Sequence, residues 1–397
     1  MSTNFDRIIS RRNTHCVKWD TYPADVIPLW VADMDFLCPQ PVINALQKAV
    51  EQGIYGYPVG HSNDPHERTE MRQIIVERMK QLYHWNIQPE DILFIPGVVV
   101  GFNLVVHALA EENGEVLVQP PVYPPILAAA KNASMKRVDA PLLPIKTGSK
   151  ERILHYEIDF DEFSNTISEQ TKVFILCNPH NPTGRVFTQL ELERMAEICL
   201  QKKVIICSDE IHNDLIFSPH QHIPIAALDN EIAQNSVTLM APSKTFNIPG
   251  LEFSFAIVPD PELRKRILLA GEGLLSGINT LAWAAAESAY QDGEEWLSEL
   301  LVYLKGNRDF LSGWLQEHNP EVNFTQPEGT YLSWLDMRAL DLKPSPYEFF
   351  LNQAKVAFND GIPFGNGGAG FVRLNFGTPR KILQEALDRL EIAIKSL

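Results

Sequence analysis

Five short apolar runs, at residues 92–95, 115–118, 173–177, 204–208 and 237–241, divide the middle of this chain, and each is followed at once by a polar or glycine-rich cluster. Near-continuous apolar runs of this length are what strands of a parallel sheet look like when helices cover both faces. Between the third and fourth lies "TQLELERMAEICLQKK", where Thr188 and Glu191 form a capping-box pair and Leu192, Met195, Ala196 and Cys199 keep helical spacing. Strand, helix, strand in this order predicts a βαβ-built α/β sheet. In such a sheet ligands bind beyond the carboxyl ends of the strands. The residues after each run are therefore the ones to read.

Those residues are "PGVVVG" from Pro96, "QPPVYPP" from Gln119, "NPHNPTGR" from Asn178, "DEIHNDL" from Asp209 and "PSKTFN" from Pro242. Taken singly, each has a plain structural reading. Lys244 reads as a solvated loop lysine, Asp209 as a helix cap, His212 as a satisfied histidine, Tyr123 as packing between prolines and "NPHNPTG" as a turn. Together at adjacent strand ends they supply an amine, a carboxylate, an imidazole, a phenol and amides to one place. A lysine at the end of a buried run is costly unless its charge is paired or chemically altered.

Beyond about residue 285 the pattern changes to helical stretches, then "TYLSWLDM" and "GFVRLNFG", then a last helix with Thr378 as its expected N-cap and Pro379 at its first position. We expect a large domain over 45–285 and a smaller, discontinuous α/β domain made of 1–44 and 286–397. With 34 basic and 50 acidic side chains the net charge is −16, which argues against nucleic acid and against anionic membrane surfaces. No signal-type apolar core heads the chain and no stretch is long enough to span a bilayer. Five scattered cysteines without metal-type spacing fit reduced thiols, so the expected location is cytoplasmic and no metal site is expected.

The set "PGVVVG", "PPVY", "NPHNPTG", "SDEIH" and "SKTFN" resembles the fold-type-I pyridoxal 5'-phosphate (PLP) enzymes, the aspartate-aminotransferase-like superfamily. "WVADMDF", "GIYGYP", "LCNPHNPTGR" and "SDEIHNDL" are similar to its cystathionine β-lyase branch, the MalY/PatB-type C–S lyases. The resemblance runs from about residue 15 to the C-terminus. It implies that Lys244 tethers PLP covalently and acts as the base, and that Asp209 faces the pyridine nitrogen. Tyr123 is implied to stack on the ring, with Asn181 and His212 near its phenolic oxygen. Gly97, Val98, Val99 and Ser243 are implied to hold the phosphate, with Tyr57 reaching the phosphate of a neighbouring subunit, hence a homodimer with a shared active site. The segment with Ala32 and Asp33 is implied to line the substrate side.

Arg373 shares one strand face with Phe371 and Asn375, and its planar fork suits a substrate α-carboxylate, which Asn181 also adjoins in the resembling enzymes. Two places depart from the aminotransferase pattern: Glu252 stands where many of those enzymes carry a phosphate-gripping arginine, and Ala241 where they carry a serine. The expected activity is β-elimination on a cysteine-S-conjugate amino acid. A class I/II aminotransferase is the alternative, and a PLP-retaining regulatory binding protein a further one.

Overall fold

The computed structural model describes residues 3–60, 63–147, 152–319 and 321–397. Its centre is a seven-stranded sheet in the order Ile92–Ile95, Ser254–Ile257, Ser236–Met240, Ile205–Asp209, Thr171–Cys177, Glu115–Val118 and Lys136–Asp139. The last five strands run parallel, and Ser254–Ile257 is antiparallel to both of its neighbours. The five apolar runs are all strands of this sheet, within one or two residues at their ends.

Their composition explains their burial. Along Thr171–Cys177, Val173, Ile175 and Cys177 pack with the helices Val98–Ala108 and Pro124–Asn132 on one face. Phe174 and Leu176 point the other way, into the core under the helix Gln189–Lys202. The unbroken apolar run 173–177 therefore has a buried partner for both sets of alternating side chains. The helix Gln189–Lys202 begins with the expected reciprocal bonds, Glu191 N–H to Thr188 Oγ1 and Thr188 N–H to Glu191 Oε2.

Two sheet members escaped the sequence reading. Lys136–Asp139 is a polar strand at one edge, and "SFAI" at Ser254–Ile257 is too short to announce itself. A second sheet of six strands carries Phe371–Asn375 and Leu332–Asp336 at its heart, and it also draws in the hairpin Leu142–Thr147 and Ile153–Ile158. In Phe371–Asn375 the expected alternation holds: Val372 and Leu374 enter the core beneath the helices Glu294–His318 and Arg380–Lys395, and Arg373 faces away from it.

One cap needs correction. The last helix starts at Arg380 with Pro379 in the N-cap position, not at Thr378, and Thr378 Oγ1 is buried without a hydrogen-bond partner. Pro379 has ψ of 137°, extended rather than helical, which moves the start by one residue.

Candidate active site

Register places the strand ends side by side. Cys177 pairs with Asp209, and Asp209 with Leu239, so the segments that follow these strands leave the sheet at one level. They enclose a cavity of about 260 Å³. Ala32, Gly97, Val98, Val99 and Tyr123 line it, as do Asn181, Asp209, His212, Ser243 and Lys244. Ten of the thirteen residues singled out in the sequence thus meet at one hollow.

Lys244 sits in the one-turn helix Pro242–Thr245 that ends the strand Ser236–Met240. Its Nζ donates to the carbonyl oxygen of Ala32 at 2.8 Å and forms no ion pair among the described residues. Burial pulls its ammonium down to about 8, with Arg373 adding to the effect and Asp33 and Asp209 opposing it. Asp209 is 4% exposed, and its carboxylate accepts only the N–H of Ile211 at 3.2 Å among the described residues. Burial raises it to about 7 against that bond and the pull of Lys244. His212 is buried with Nδ1 unpartnered, and burial holds its ring neutral, down to about 3, helped by Lys244 and Arg373.

At the other end of the cavity the helix Val98–Ala108 opens without a side-chain cap. Gly97 has φ of +102°, a conformation that favours glycine, and a Cβ placed there would meet nothing within 4 Å. The Gly97 N–H is committed to Ser254 Oγ at 3.1 Å and to Ile95 O at 2.9 Å. Val98 and Val99 line the hollow at this end, and their N–H groups are first-turn donors with no acceptor inside the helix. Ser243 and Glu252 line the same hollow.

Arg373 reaches the site through Asn181. Its NH1 donates to Asn181 Oδ1 at 2.9 Å, and NH2 donates to Trp30 O at 3.0 Å and to Asn359 Oδ1. Nε has no partner, the guanidinium lies 5.1 Å over the Phe364 ring, and the residue is 4% exposed. No carboxylate pairs with it among the described residues, and burial lowers it to about 10. A buried cation held only by neutral oxygens is arranged to receive an anion.

Three expected positions stand apart. Asp33 turns its carboxylate onto Arg11, at 3.1 and 2.8 Å, and does not line the hollow, although its charge still acts on Lys244. Tyr57 is 96% exposed and lies beside a separate surface cleft with residues 276–281. Arg373 borders the cavity without lining it.

The sequence reading missed Tyr331, a buried phenol that donates to Ala32 O at 2.8 Å and packs edge-on against His212. Lying at the start of an apolar strand run, it reads as core. Asn247 was missed as well; its amide holds Met34 N, Met34 O and Phe36 O, fixing the segment that carries Ala32.

The residues fit PLP. A buried carboxylate without a cationic hydrogen-bond partner suits a protonated ring nitrogen, an uncapped helix start suits a phosphate, and a buried amine of lowered basicity suits attachment to an aldehyde.

Comparison with known proteins agrees. The family model described as aminotransferase class I and II matches residues 24–390. The chain is 38% identical over 400 residues to cystathionine beta-lyase PatB of Bacillus subtilis, covering 98% of this chain and 100% of that one. It superposes on PLP-containing cystalysin from Treponema denticola with a TM-score of 0.93 at 32% identity, covering 100% of both chains. It likewise matches a PLP-bound C–S lyase from Staphylococcus hominis with a TM-score of 0.89 at 31% identity, covering 99% of this chain and 98% of that one.

Proposed function

Since this chain belongs to the class I and II aminotransferase family, in its C–S lyase branch, we propose that it catalyses PLP-dependent β-elimination on cysteine-S-conjugate amino acids. The products are a thiol, pyruvate and ammonia. Bound in the cavity, PLP supplies an aldehyde for attachment and a ring that accepts the charge left when an α-proton departs.

The protein's own groups divide the remaining work. Lys244 would hold the aldehyde carbon, and its Nζ, once free, would be the group that takes the α-proton. Asp209 would face the ring nitrogen, where a protonated ring would offset the cost that burial places on its carboxylate. Val98, Val99, Ser243, Tyr123, Asn181 and His212 all line the cavity; the N–H groups of Val98 and Val99 with Ser243 would hold the phosphate, Tyr123 would pack on the ring, and Asn181 and His212 would bond near its oxygen. Arg373 binds the substrate carboxylate, in the neighbourhood of Ala32 and Asp33. The observation that carries this reading is Arg373: buried, charged and held only by neutral oxygens beside a buried amine.

The same reading includes a cytoplasmic homodimer in which Tyr57 reaches the partner's phosphate. Exposed Ile54, Tyr55, Tyr57 and Val59 on one segment support it, since apolar side chains so grouped favour being covered. It also includes the division into 45–285 and 1–44 with 286–397, supported by the seven-stranded sheet drawing all its strands from 45–285, although the six-stranded sheet crosses that boundary by taking in Leu142–Thr147 and Ile153–Ile158.

Incubation with L-cystathionine tests the activity. Pyruvate and homocysteine should appear without any added keto acid. Product formed only when an acceptor keto acid is supplied would make the protein an aminotransferase instead.

A further inference from the structure

We propose that Tyr331 is a positioning residue for Lys244, acting through a single shared acceptor, the carbonyl oxygen of Ala32. The inference rests on the lyase reading only for the reaction in which the lysine acts.

Lys244 Nζ and the Tyr331 hydroxyl each donate to Ala32 O at 2.8 Å. A carbonyl oxygen has two lone pairs, and here both are taken. Neither partner has room to drift. Ala32 lies in a segment without regular structure whose neighbouring carbonyls are pinned, Val31 O and Asp33 O by Asn375 Nδ2 at 2.6 and 2.7 Å. Arg11 and Asn247 both donate to the next carbonyl, Met34 O, at 3.0 Å. Tyr331 is buried, its ring meets His212 at 5.9 Å and 78°, and its own carbonyl accepts Phe376 N–H at 2.9 Å.

The chemical consequence has a sign. A carbonyl acceptor stabilises an ammonium more than an amine, so a bond to Ala32 O favours the protonated lysine. An oxygen already accepting a phenol hydrogen is the poorer acceptor, and Tyr331 thereby limits that stabilisation. It keeps Nζ at a fixed resting place, yet easier to deprotonate, ready to receive the proton that leaves the substrate α-carbon.

The other groups facing Nζ stay in place when the hydroxyl is removed. They are Asp33 on the segment of Ala32, Asp209 and His212 at the end of Ile205–Asp209, and Arg373 on Phe371–Asn375; the phenol of Tyr123 lines the same cavity. Burial is the largest influence on the lysine, and Tyr331 adjusts what burial leaves.

Tyr331→Phe keeps the ring against His212 and deletes the donor. Two rates measured against pH decide the matter. One is uptake of PLP by the cofactor-free full chain, followed by absorbance, which needs an unprotonated Lys244. The other is pyruvate release from L-cystathionine, resolved into kcat and KM.

The acid limb of both profiles should move up by about half a pH unit, the size of one modest hydrogen bond. The fall at neutral pH should lie in kcat, with KM within about twofold, because Tyr331 acts on the base rather than on carboxylate binding. Placing 3-fluorotyrosine at 331, a stronger donor of the same shape, should move both limbs down. It also decides the question should the phenylalanine variant fail to fold. Unmoved limbs, a uniform loss at every pH, or shifts of the same sign in both variants would overturn the proposal. Wild-type protein that releases no pyruvate would remove the lyase reading, and the PLP-uptake profile would still judge Tyr331.

Discussion

Removing the guanidinium of Arg373 should damage substrate recognition far more than folding. Its fork is held by Asn181, Asn359 and the Trp30 carbonyl, with Nε unpartnered and no carboxylate pairing with it among the described residues. A substrate carboxylate would form two charge-assisted hydrogen bonds, each contributing about 1.5–3 kcal/mol. Arg373→Met should therefore lower kcat/KM by about 3–5 kcal/mol of transition-state stabilisation, roughly two to four orders of magnitude. Arg373→Lys keeps the charge but loses the fork, and should cost about 2 kcal/mol, roughly thirty-fold. The assay is pyruvate release with L-cystathionine, paired with inhibition by an S-alkyl cysteamine, which lacks the carboxylate. Inhibition by the decarboxylated compound should hardly change in either variant. If both compounds lost affinity equally, or kcat/KM with L-cystathionine stayed within threefold of wild type, Arg373 would not be the carboxylate site.

Two further outcomes follow from the same geometry. Asp209, raised to about 7, holds a proton in the folded, cofactor-free protein at pH values where the unfolded chain has already lost it. Stability of that form should consequently fall as pH rises from about 4 to 7, by up to about 4 kcal/mol. Asp209→Asn should flatten that slope in thermal unfolding while cutting elimination at least a hundred-fold; identical slopes would show that the carboxyl is not the titrating group. Gly97→Ala should destabilise the chain by about 1–2 kcal/mol through its positive φ alone, since nothing crowds the new methyl, and should weaken PLP uptake at the helix start. A variant with unchanged unfolding and PLP affinity would show that the turn tolerates a side chain.

The sequence announced the parts of this molecule whose chemistry is local. Buried parallel strands are written as unbroken apolar runs, and a helix start as Thr188 with Glu191, because burial and capping act over a few neighbouring residues. Strand ends on a parallel sheet converge by topology, so the sequence alone groups Lys244, Asp209, His212 and Asn181, which line one cavity. What stayed hidden depends on long-range contact. Tyr331 and Ala32 are 299 positions apart, and nothing around either marks the phenol as more than core. The segment with Ala32 and Asp33 read as lining the substrate side, yet Arg11, twenty-two positions before Asp33, occupies both of its carboxylate oxygens. The polar edge strand Lys136–Asp139 is recognisable only from its pairing with Glu115–Val118.

The account as a whole depends on the side chain at position 244. Reducing the PLP-loaded protein with borohydride and mapping its peptides should place one stable pyridoxyl group on the peptide containing Lys244, with none after Lys244→Ala. A pyridoxyl group on another lysine, or on no peptide at all, would contradict the assignment of this cavity as the cofactor's site.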